Sequence, residues 1–498
     1  MGFNKKNEVS GMKTNAIMTG IVCLFILIST ANAQFAGGSG TEEDPYQVGT
    51  LEQLQEVNNH LDKFFIQTAD IDAADTQNWN DGEGFLPIGS EFPFSGTFDG
   101  SGHVIENLYI FREMNSIGLF REFAGVVRNV TLIDVDVTGN NQVGALVGRN
   151  EGGQVFNSSA TGNVTGGRRV GGLVGNNDPG QIFDSHAACM VVGERDVGGL
   201  VGDNRSGSLV KASYATGSVY TFVEDGHDVG GLAGANRGGE IHDSYATGFI
   251  SAGGGRVGGL VGQNQNDGVI ANSYALSDVS GAEIVGGLVG RNRASLRTSY
   301  STGQVFADDE EHAGGFLGSN VQEGNVETSY WDTEGSGFSK GVGEDPGIDD
   351  PSNFEGFAGL TTAQMSGTAA LDNMAGFDFD EIWAVVDGDY PTLAWALKDP
   401  TDAGEVIPEI PNEMVLEQNY PNPFNPMTRI AYTIPVEGAV SLEVYNVIGQ
   451  RVAVLVNERQ AAGRHHISFD ATSLSSGVYI YRLTSMGETI TRQMLFVK

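Results

Sequence analysis

Short apolar runs recur along the middle of the chain and are separated by Gly, Asn, Asp or Ser. The most regular run reads Val-Gly-Gly-Leu-Val-Gly-x-Asn. Clear or looser copies are Val143–Asn150, Val170–Asn177, Val197–Asn204, Val229–Asn236, Val257–Asn264, Val285–Asn292 and Ala313–Asn320, with a degenerate copy at Ile117–Arg121. The fourth position falls at Leu119, Leu146, Leu173, Leu200, Leu232, Leu260, Leu288 and Phe316, in steps of 27, 27, 27, 32, 28, 28 and 28 residues. A period this steady predicts a repeat architecture.

A second phrase, Asn-Ser-Tyr-Ala-Thr-Gly in its fuller forms, follows the first in every unit, as at Asn157–Gly162 and Asp243–Gly248. Each unit therefore holds about three short apolar runs, and none is long or periodic enough for a helix. Runs of this kind between turn formers are typical of strands. The pattern predicts an all-β fold in which each unit is one coil of a parallel β-solenoid (β-helix) and stacks on its neighbours.

The repeated residues have predictable roles in such a coil. Glycine supplies positive φ at corners and permits close approach between coils. The Asn that ends the first phrase suits a corner, where its amide can bond the backbone of the turn. Stacking should align the Asn, Leu and Tyr positions into ladders.

The Gly-Gly-Leu-Val-Gly phrase resembles the GLUG motif of bacterial surface proteins, which include adhesin-like proteins and non-catalytic parts of immunoglobulin A peptidases. The resemblance covers residues 116–333. It implies a repeat fold, and by itself it does not assign an activity.

The flanking segments predict caps for the solenoid, because an open end exposes unpaired strand edges. Residues 34–115 read as the N-terminal cap and first coils, with a short helix from Thr50 to Leu61 that Thr50 can cap. Residues 334–398 read as the C-terminal cap, which contains Trp383 and Trp395.

Composition narrows the classes of function. Of 498 residues, 63 are acidic and 27 basic, for a formal net charge of −36. This charge argues against nucleic acid and anionic membranes as partners. Of the two cysteines, Cys23 lies in the apolar N-terminal segment, residues 1–33, and Cys189 lies in the repeats. A disulfide framework is therefore excluded, and Cys189 is predicted to be a small buried residue.

Residues 1–33 are predicted to be a secretory signal peptide. Lys5 and Lys6 precede an apolar run, and Ala31-Asn32-Ala33 is a cleavage site of the Ala-x-Ala type, which places the cut between Ala33 and Gln34. The run is short for a membrane span, so we expect no transmembrane segment in the mature chain.

The C-terminal end has a different composition. Residues 399–415 form an acidic, proline-containing linker. Residues 416–498 hold seven basic and six acidic side chains and open on Asn419-Tyr420-Pro421-Asn422-Pro423-Phe424. This segment resembles the type A C-terminal sorting domain of the type IX secretion system of Bacteroidetes and neighbouring phyla. The resemblance implies export to the cell surface or medium by that machinery, and the strand pattern predicts a small antiparallel β-sandwich of about seven strands.

Candidate chemistry is sparse. There is no His-Glu-x-x-His or Walker-type loop, and no catalytic residue or cofactor site is predicted. The long step from Leu200 to Leu232 predicts an inserted loop, and insertions in solenoids often mark the binding face. Its candidate ligand residues are Tyr220, Phe222, Glu224, Asp225 and His227. The acidic turn at Asp308, Asp309 and Glu310 is a weak candidate for calcium, and a solvated turn explains it as well.

The sequence thus predicts a secreted surface protein that binds rather than reacts, with glycans, matrix or other cells as candidate partners. Repeated weak contacts along the solenoid would add up to avidity. One alternative is a β-helix polysaccharide hydrolase or lyase, which needs carboxylates placed opposite one another or opposite an Arg or Lys. The other is a structural spacer without a ligand.

Overall fold

The computed structural model describes residues 35–397, except 222, 224–226, 322–323 and 344–353, and most of residues 414–497. The described part of 414–497 omits 417–418, 420–421, 423, 425–426, 435–437, 447–449, 461–462, 473 and 486. The predicted signal peptide with its cleavage site at Ala33 and Gln34 lies outside the described residues, as does most of the predicted linker. Backbone contacts divide the chain into two units, the first reaching Phe377 and including Asp387–Tyr390, the second holding Asp378–Val386 and everything from Pro391 onward.

The first unit is a parallel β-solenoid, as predicted, and its strands form four parallel sheets. Sheet I consists of Tyr46–Val48, Phe64–Gln67, Thr97–Asp99, Val126–Arg128, Gln154–Phe156, Gln181–Phe183, Leu209–Lys211, Glu240–His242, Val269–Ala271, Ser295–Arg297 and Asn325–Glu327. Sheet II consists of Ile71–Asp72, Val104–Glu106, Tyr109–Phe111, Thr131–Thr138, Ser159–Thr165, His186–Val192, Tyr214–Ala215, Val219–Thr221, Tyr245–Ala246, Ile250–Ala252, Tyr274–Ala275, Val279–Gly281, Tyr300–Ser301, Val305–Ala307, Ser329–Asp332 and Phe357–Leu360.

The other two sheets contain the strands of the Val-Gly-Gly-Leu-Val-Gly-x-Asn phrase. Sheet III consists of Asn141–Gly144, Arg168–Gly171, Arg195–Gly198, His227–Gly230, Arg256–Gly258, Ile284–Gly286 and Ala313–Gly314. Sheet IV consists of Phe120–Phe123, Val147–Asn150, Val174–Asn177, Val201–Arg205, Ala233–Arg237, Val261–Gln265, Val289–Asn292 and Leu317–Asn320. The prediction of three strands per coil is wrong, because the Val-Gly-Gly-Leu-Val-Gly-x-Asn phrase is divided between sheets III and IV.

The phrase glycines permit close packing between coils, as predicted. A Cβ on Gly172 would lie 2.1 Å from the carbonyl oxygen of Gly199 in the next coil, and one on Gly202 would lie 2.5 Å from that of Gly175 in the preceding coil. The phrase glycines do not have positive φ, but glycines at the corner after sheet IV do, such as Gly152 at φ 96° and Gly207 at φ 81°. Other left-handed corner positions carry side chains, such as Asp184 at φ 48° and Asn157 at φ 40°. Asn and Asp tolerate this conformation because their short polar side chains can bond locally.

The phrase asparagines form a continuous buried ladder. The Nδ2 atom of each residue donates to the Oδ1 atom of its counterpart in the next coil at 2.8–2.9 Å, along Asn150, Asn177, Asn204, Asn236, Asn264, Asn292 and Asn320. Several of the same amides also bond the corner, as in the Asn236 Nδ2 donation to the Gly239 carbonyl at 2.9 Å. The predicted corner role and the predicted ladder are therefore both confirmed.

Two further ladders follow the corner between sheets I and II. The Ser158 backbone N–H donates to Ser185 Oγ at 3.1 Å, and this bond repeats at the equivalent serines along the coils. The aromatic rings beside the serines stack face to face at centroid distances of 4.6–5.0 Å, in the order His186, Tyr214, Tyr245, Tyr274 and Tyr300. The predicted tyrosine ladder is confirmed.

The interior is an apolar column from all four sheets. The marker residues from Leu119 to Phe316 are fully buried, and so is Cys189, which lies inside the coil as predicted. Burial raises the pKa of the Cys189 thiol to about 12, so it stays protonated at neutral pH.

The N-terminal cap contains the predicted helix in shorter form. The α-helix Leu51–Glu56 continues as the 3₁₀-helix Val57–Asn59, and Thr50 Oγ1 accepts a hydrogen bond from the Gln53 N–H at 3.3 Å. Two 3₁₀-helices, Ala74–Asn78 and Asn80–Gly82, precede the strand Thr97–Asp99 of sheet I.

The segment after the repeats closes the end of the tyrosine ladder within the first unit. The helices Thr362–Met365 and Ala369–Asn373 follow the last strand of sheet II. Buried Asp332 accepts hydrogen bonds from Thr362 Oγ1 at 2.6 Å and Tyr390 Oη at 2.5 Å. These bonds fasten the closing segment to the last coil.

The second unit begins with the antiparallel pair Trp383–Ala384 and Thr392–Leu393 and the 3₁₀-helix Ala394–Leu397. The rest is the predicted sandwich. One antiparallel sheet holds Val415–Leu416, Met427–Ile434 and Gly463–Asp470, and the other holds Arg451–Gln460, Gly438–Asn446, Gly477–Ser485 and Glu488–Phe496. Leu442, Tyr481 and Phe496 lie in its core.

We predict that Asn236→Ala destabilises the solenoid by about 2–4 kcal/mol, because it removes two ladder bonds and leaves buried amide groups unpaired. Thermal unfolding followed by circular dichroism measures the effect. The matched control is Asn325→Ala, since the Asn325 side chain is exposed and bonds only Glu327 among the described residues. Equal losses in both variants would contradict a stabilising ladder.

We also predict that acid weakens the fold through His186. Burial lowers the pKa of His186 from 6.5 to about 4. The unfolded chain therefore binds a proton below pH 6.5, whereas the folded chain binds it only near pH 4. The contribution of His186 to the free energy of unfolding is therefore fully present above pH 6.5, and up to about 3 kcal/mol is lost as the pH falls toward 4.

His186→Tyr extends the tyrosine ladder and removes this titration. Its unfolding midpoint should fall less between pH 7.5 and pH 5 than that of the unmodified protein. His103→Tyr, at a partly exposed side chain that pairs with Asp70, is the control. An unchanged pH dependence in His186→Tyr would show that another group is responsible.

Candidate functional site

Two of the five predicted ligand residues of the inserted loop are described, and they lie on the strands of sheets II and III that flank the loop. Tyr220 is buried and packs against Phe249 at a centroid distance of 6.2 Å, so its ring is not available to a ligand. His227 begins a strand of sheet III and is half-buried. Phe222, Glu224 and Asp225 lie outside the described residues.

The predicted calcium turn is held by its own side chains. Asp309 Oδ2 lies 2.8 Å from His312 Nδ1, and Asp309 Oδ1 accepts a hydrogen bond from the Glu311 N–H at 3.0 Å. The His312 hydrogen bond lowers the pKa of Asp309. In the part of the chain that the structure describes, no group of three or more His, Cys, Asp or Glu side chains is placed to hold a metal ion. Calcium at Asp308, Asp309 and Glu310 stays a prediction.

Carboxylates do face arginines on sheets III and IV, in what we call the ion network. Arg237 Nη2 lies 2.7 Å from Asp196 Oδ1 and 2.9 Å from Asp228 Oδ2, and Arg237 Nη1 lies 2.7 Å from Asp203 Oδ1. Arg205 and Arg169 also pair with Asp203, at 3.2 and 3.3 Å, and Arg256 pairs with Asp228.

The ion network is closed to a substrate. The carboxylates of Asp196, Asp203 and Asp228 are at most 1% exposed. Burial raises the pKa of Asp203 and of Asp228, and the arginines oppose that shift. A buried pair of this kind is costly to break, because removing one partner leaves the other charge without compensation. The ion network is therefore better placed to fix the register of neighbouring coils than to catalyse a reaction.

The outer face of sheet I is the variable surface of the solenoid. Its inward residues are always apolar and buried, from Phe65 through Val155 to Val326. Its outward residues form two columns that differ from coil to coil. The first column consists of Phe64, Thr97, Val126, Gln154, Gln181, Leu209, Glu240, Val269, Ser295 and Asn325. The second column consists of Ile66, Asp99, Arg128, Phe156, Phe183, Lys211, His242, Ala271, Arg297 and Glu327.

A groove of about 370 Å³ lies on this face at its N-terminal end. Four successive strands of sheet I line it with their outward side chains, and the loop before the first strand of the sheet contributes to its wall. The lining residues are Glu42, Pro45, Phe64, Phe65, Ile66, Thr97, Asp99, Val126, Arg128, Gln154 and Phe156. Its aromatic and aliphatic groups alternate with hydrogen-bonding groups, which is typical of a ligand site.

The polar centre of the groove is a fixed ion pair. Arg128 Nε donates to Asp99 Oδ2 at 2.8 Å, while Asn129 Nδ2 and the Ser101 N–H donate to Asp99 Oδ1 at 2.9 Å. Burial alone would raise the pKa of Asp99, but these hydrogen bonds lower it below the usual value. Asp99 is therefore ionised at neutral pH and held in one orientation.

Sequence reasoning missed the groove because no motif marks it. A signal was present in the strands between the Asn and Ser phrases, where the residues on either side of each buried position change from coil to coil. Phe156 and Phe183 stand in equivalent positions there and stack at a centroid distance of 5.1 Å.

Comparison with protein families identifies two parts of the chain. The family described as the GLUG motif matches residues 139–165, 225–251 and 253–280. The family described as the secretion system C-terminal sorting domain matches residues 418–498. Both predicted resemblances are confirmed.

Similar proteins match only part of the chain. Halomucin of Haloquadratum walsbyi is 38% identical over 130 residues, which cover 23% of this chain and 1% of that protein. A putative Gly-rich membrane protein of Evansella cellulosilytica is 38% identical over 127 residues, which cover 24% of this chain and 15% of that protein. The chain thus spans a small fraction of the length of either relative.

The sorting domain determines where the protein is found, because such a domain directs export to the cell surface or the extracellular space. Among the described residues, no helix is both long and apolar enough to cross a membrane. The chain therefore carries GLUG repeats in a parallel β-solenoid and ends in a C-terminal sorting domain that is recognised by the type IX secretion machinery.

Proposed function

We propose that the protein is an adhesin-like binding protein of the cell surface, which presents its solenoid to an extracellular polymer and does not react with it. The observation that carries the proposal is the outer face of sheet I. Its side chains vary from coil to coil over a constant apolar interior, and it contains a groove. Variation above a constant core is what a recognition surface requires, since the inward residues serve packing.

The placement of the carboxylates supports binding over catalysis. Those of the ion network are buried and paired with arginines. In the groove, Asp99 accepts three hydrogen bonds and its pKa is lowered, so it is a poor proton acceptor at neutral pH. A general base works best when its pKa is near the working pH.

The proposal is tested with purified protein on a panel of immobilised polysaccharides, with calcium and with a chelator. We expect retention on at least one polymer and no new reducing ends or unsaturated products over hours. Product that increases with protein concentration would favour the hydrolase or lyase alternative. Absence of both retention and product would favour the spacer. Retention lost in chelator and restored by calcium would support a metal at Asp308, Asp309 and Glu310.

We predict that removing residues 416–498 abolishes export, because the sorting domain is the part that the secretion machinery recognises. In a host with a type IX system, surface labelling with antibody should fall to background while the truncated protein accumulates inside the cell envelope. Removing residues 399–413 instead is the control and should leave export intact. Surface labelling of the truncated protein at the normal level would contradict the assignment.

A further inference from the structure

We propose that the groove on sheet I binds a single uncharged polysaccharide chain, which lies across the strands from Phe64 to Phe156. This proposal rests on the proposed function and specifies its ligand and its site. Neither the GLUG motif nor the sorting domain accounts for the groove, since the motif matches begin at residue 139 and the groove is lined mainly by earlier coils.

The dimensions of the groove follow from the strand register. Phe64, Thr97, Val126 and Gln154 stand in one column on four successive strands. Neighbouring strands are about 4.8 Å apart, so the column extends roughly 14 Å. A pyranose ring in an extended chain advances by about one strand spacing, and the groove therefore accommodates three to four rings, one near each coil.

The two ends of the groove are aromatic. Phe64 lies on the first of the four strands and Phe156 on the fourth, and both are half-buried. Ile66 and Val126 add apolar surface between them. A sugar ring presents C–H groups on its faces and hydroxyl groups around its edge. An aromatic ring attracts the C–H groups through its electron-rich face.

The centre of the groove supplies hydrogen bonds for the hydroxyl groups. Arg128 is 52% exposed and uses Nε for Asp99, and among the described residues its two Nη groups have no other partner. Gln154 donates from Nε2 to Gln181 at 2.8 Å, which leaves its own Oε1 as an acceptor toward the groove. Because Asp99 holds Arg128 in place, these groups are ordered before a ligand arrives, which lowers the entropic cost of binding.

Charge selects an uncharged chain over an anionic one. The groove has Glu42 and Asp99 against Arg128, and its single cation is already paired with a carboxylate at 2.8 Å. The whole chain carries a net charge of −36, which repels polyanions at long range. A neutral sugar chain meets no such barrier and can use both members of the ion pair.

The test uses the full protein and soluble oligosaccharides of four to six rings from cellulose, mannan and xylan, with oligomers of alginate as the anionic comparison. Binding is measured by isothermal titration calorimetry. The variants are Phe156→Ala and Arg128→Gln. Their matched controls are Phe306→Ala, at a half-buried position on sheet II, and Arg297→Gln, six coils further along the Arg128 column. Circular dichroism and the unfolding midpoint verify that each variant folds.

We expect one neutral series to bind, Phe156→Ala and Arg128→Gln to weaken its affinity roughly tenfold each, and both controls to bind like the unmodified protein. Because Arg128 is exposed, its variant tests the groove even if Phe156→Ala fails to fold. Preferential binding of alginate oligomers, with loss in Arg128→Gln, would overturn the neutral ligand. Retention on a polymer that neither groove variant changes would overturn the groove as the site and leave the proposed function standing. Retention on no polymer would remove both.

Discussion

Each coil of the solenoid completes the hydrogen bonding of its neighbour, and the buried asparagine ladder is the clearest case. Most ladder amides bond both their own corner and the amide of the next coil, as Asn150 and Asn236 do. A buried polar group without a partner is costly, so a coil that slipped by one residue would leave two ladders unpaired at once. The same register aligns the serines and the stacked aromatic rings. Stability in this protein is therefore a property of neighbouring pairs of coils, and the caps supply the missing neighbour at the ends.

The constant interior leaves the outward positions free to differ, and the faces use that freedom in different ways. On sheet II the tyrosine rings cover one another's faces, so they offer a ligand only their edges. On sheets III and IV the arginines are engaged by buried aspartates. Sheet I retains side chains of mixed chemistry around a groove. The recognition that we propose is thus concentrated on sheet I, while the tyrosine ladder and the ion network on the other sheets hold the coils together.

The sequence predicts the features that depend on repetition. The Leu marker indicates the coil, the phrase asparagines indicate the corner, and the Ser-Tyr pairs indicate the ladders. Both predicted roles of glycine occur, but the sequence does not distinguish a glycine needed for close approach, such as Gly172, from one needed for positive φ, such as Gly152. It also joins two strands into one phrase, since Gly recurs throughout the phrase and no Pro, Asn, Asp or Ser marks the bend at Gly172 and Leu173. The groove and the ion network escape prediction for one reason. Residues far apart in sequence, such as Asp99 and Arg128, or Arg237 and Asp196, meet only when coils stack.

The same ladder bonds join each pair of neighbouring coils, and this has an evolutionary consequence. Because a coil inserted in register makes the same bonds to its new neighbours as the coil it displaces, duplication or deletion of one repeat within the gene conserves the packing. Such an event would add or remove one repeat of 27 or 28 residues, which is the spacing between most markers. The groove draws on the coils beside the N-terminal cap, so recombination further along would leave it intact. Lineages can thus adjust how many coils separate this groove from the sorting domain without redesigning either one.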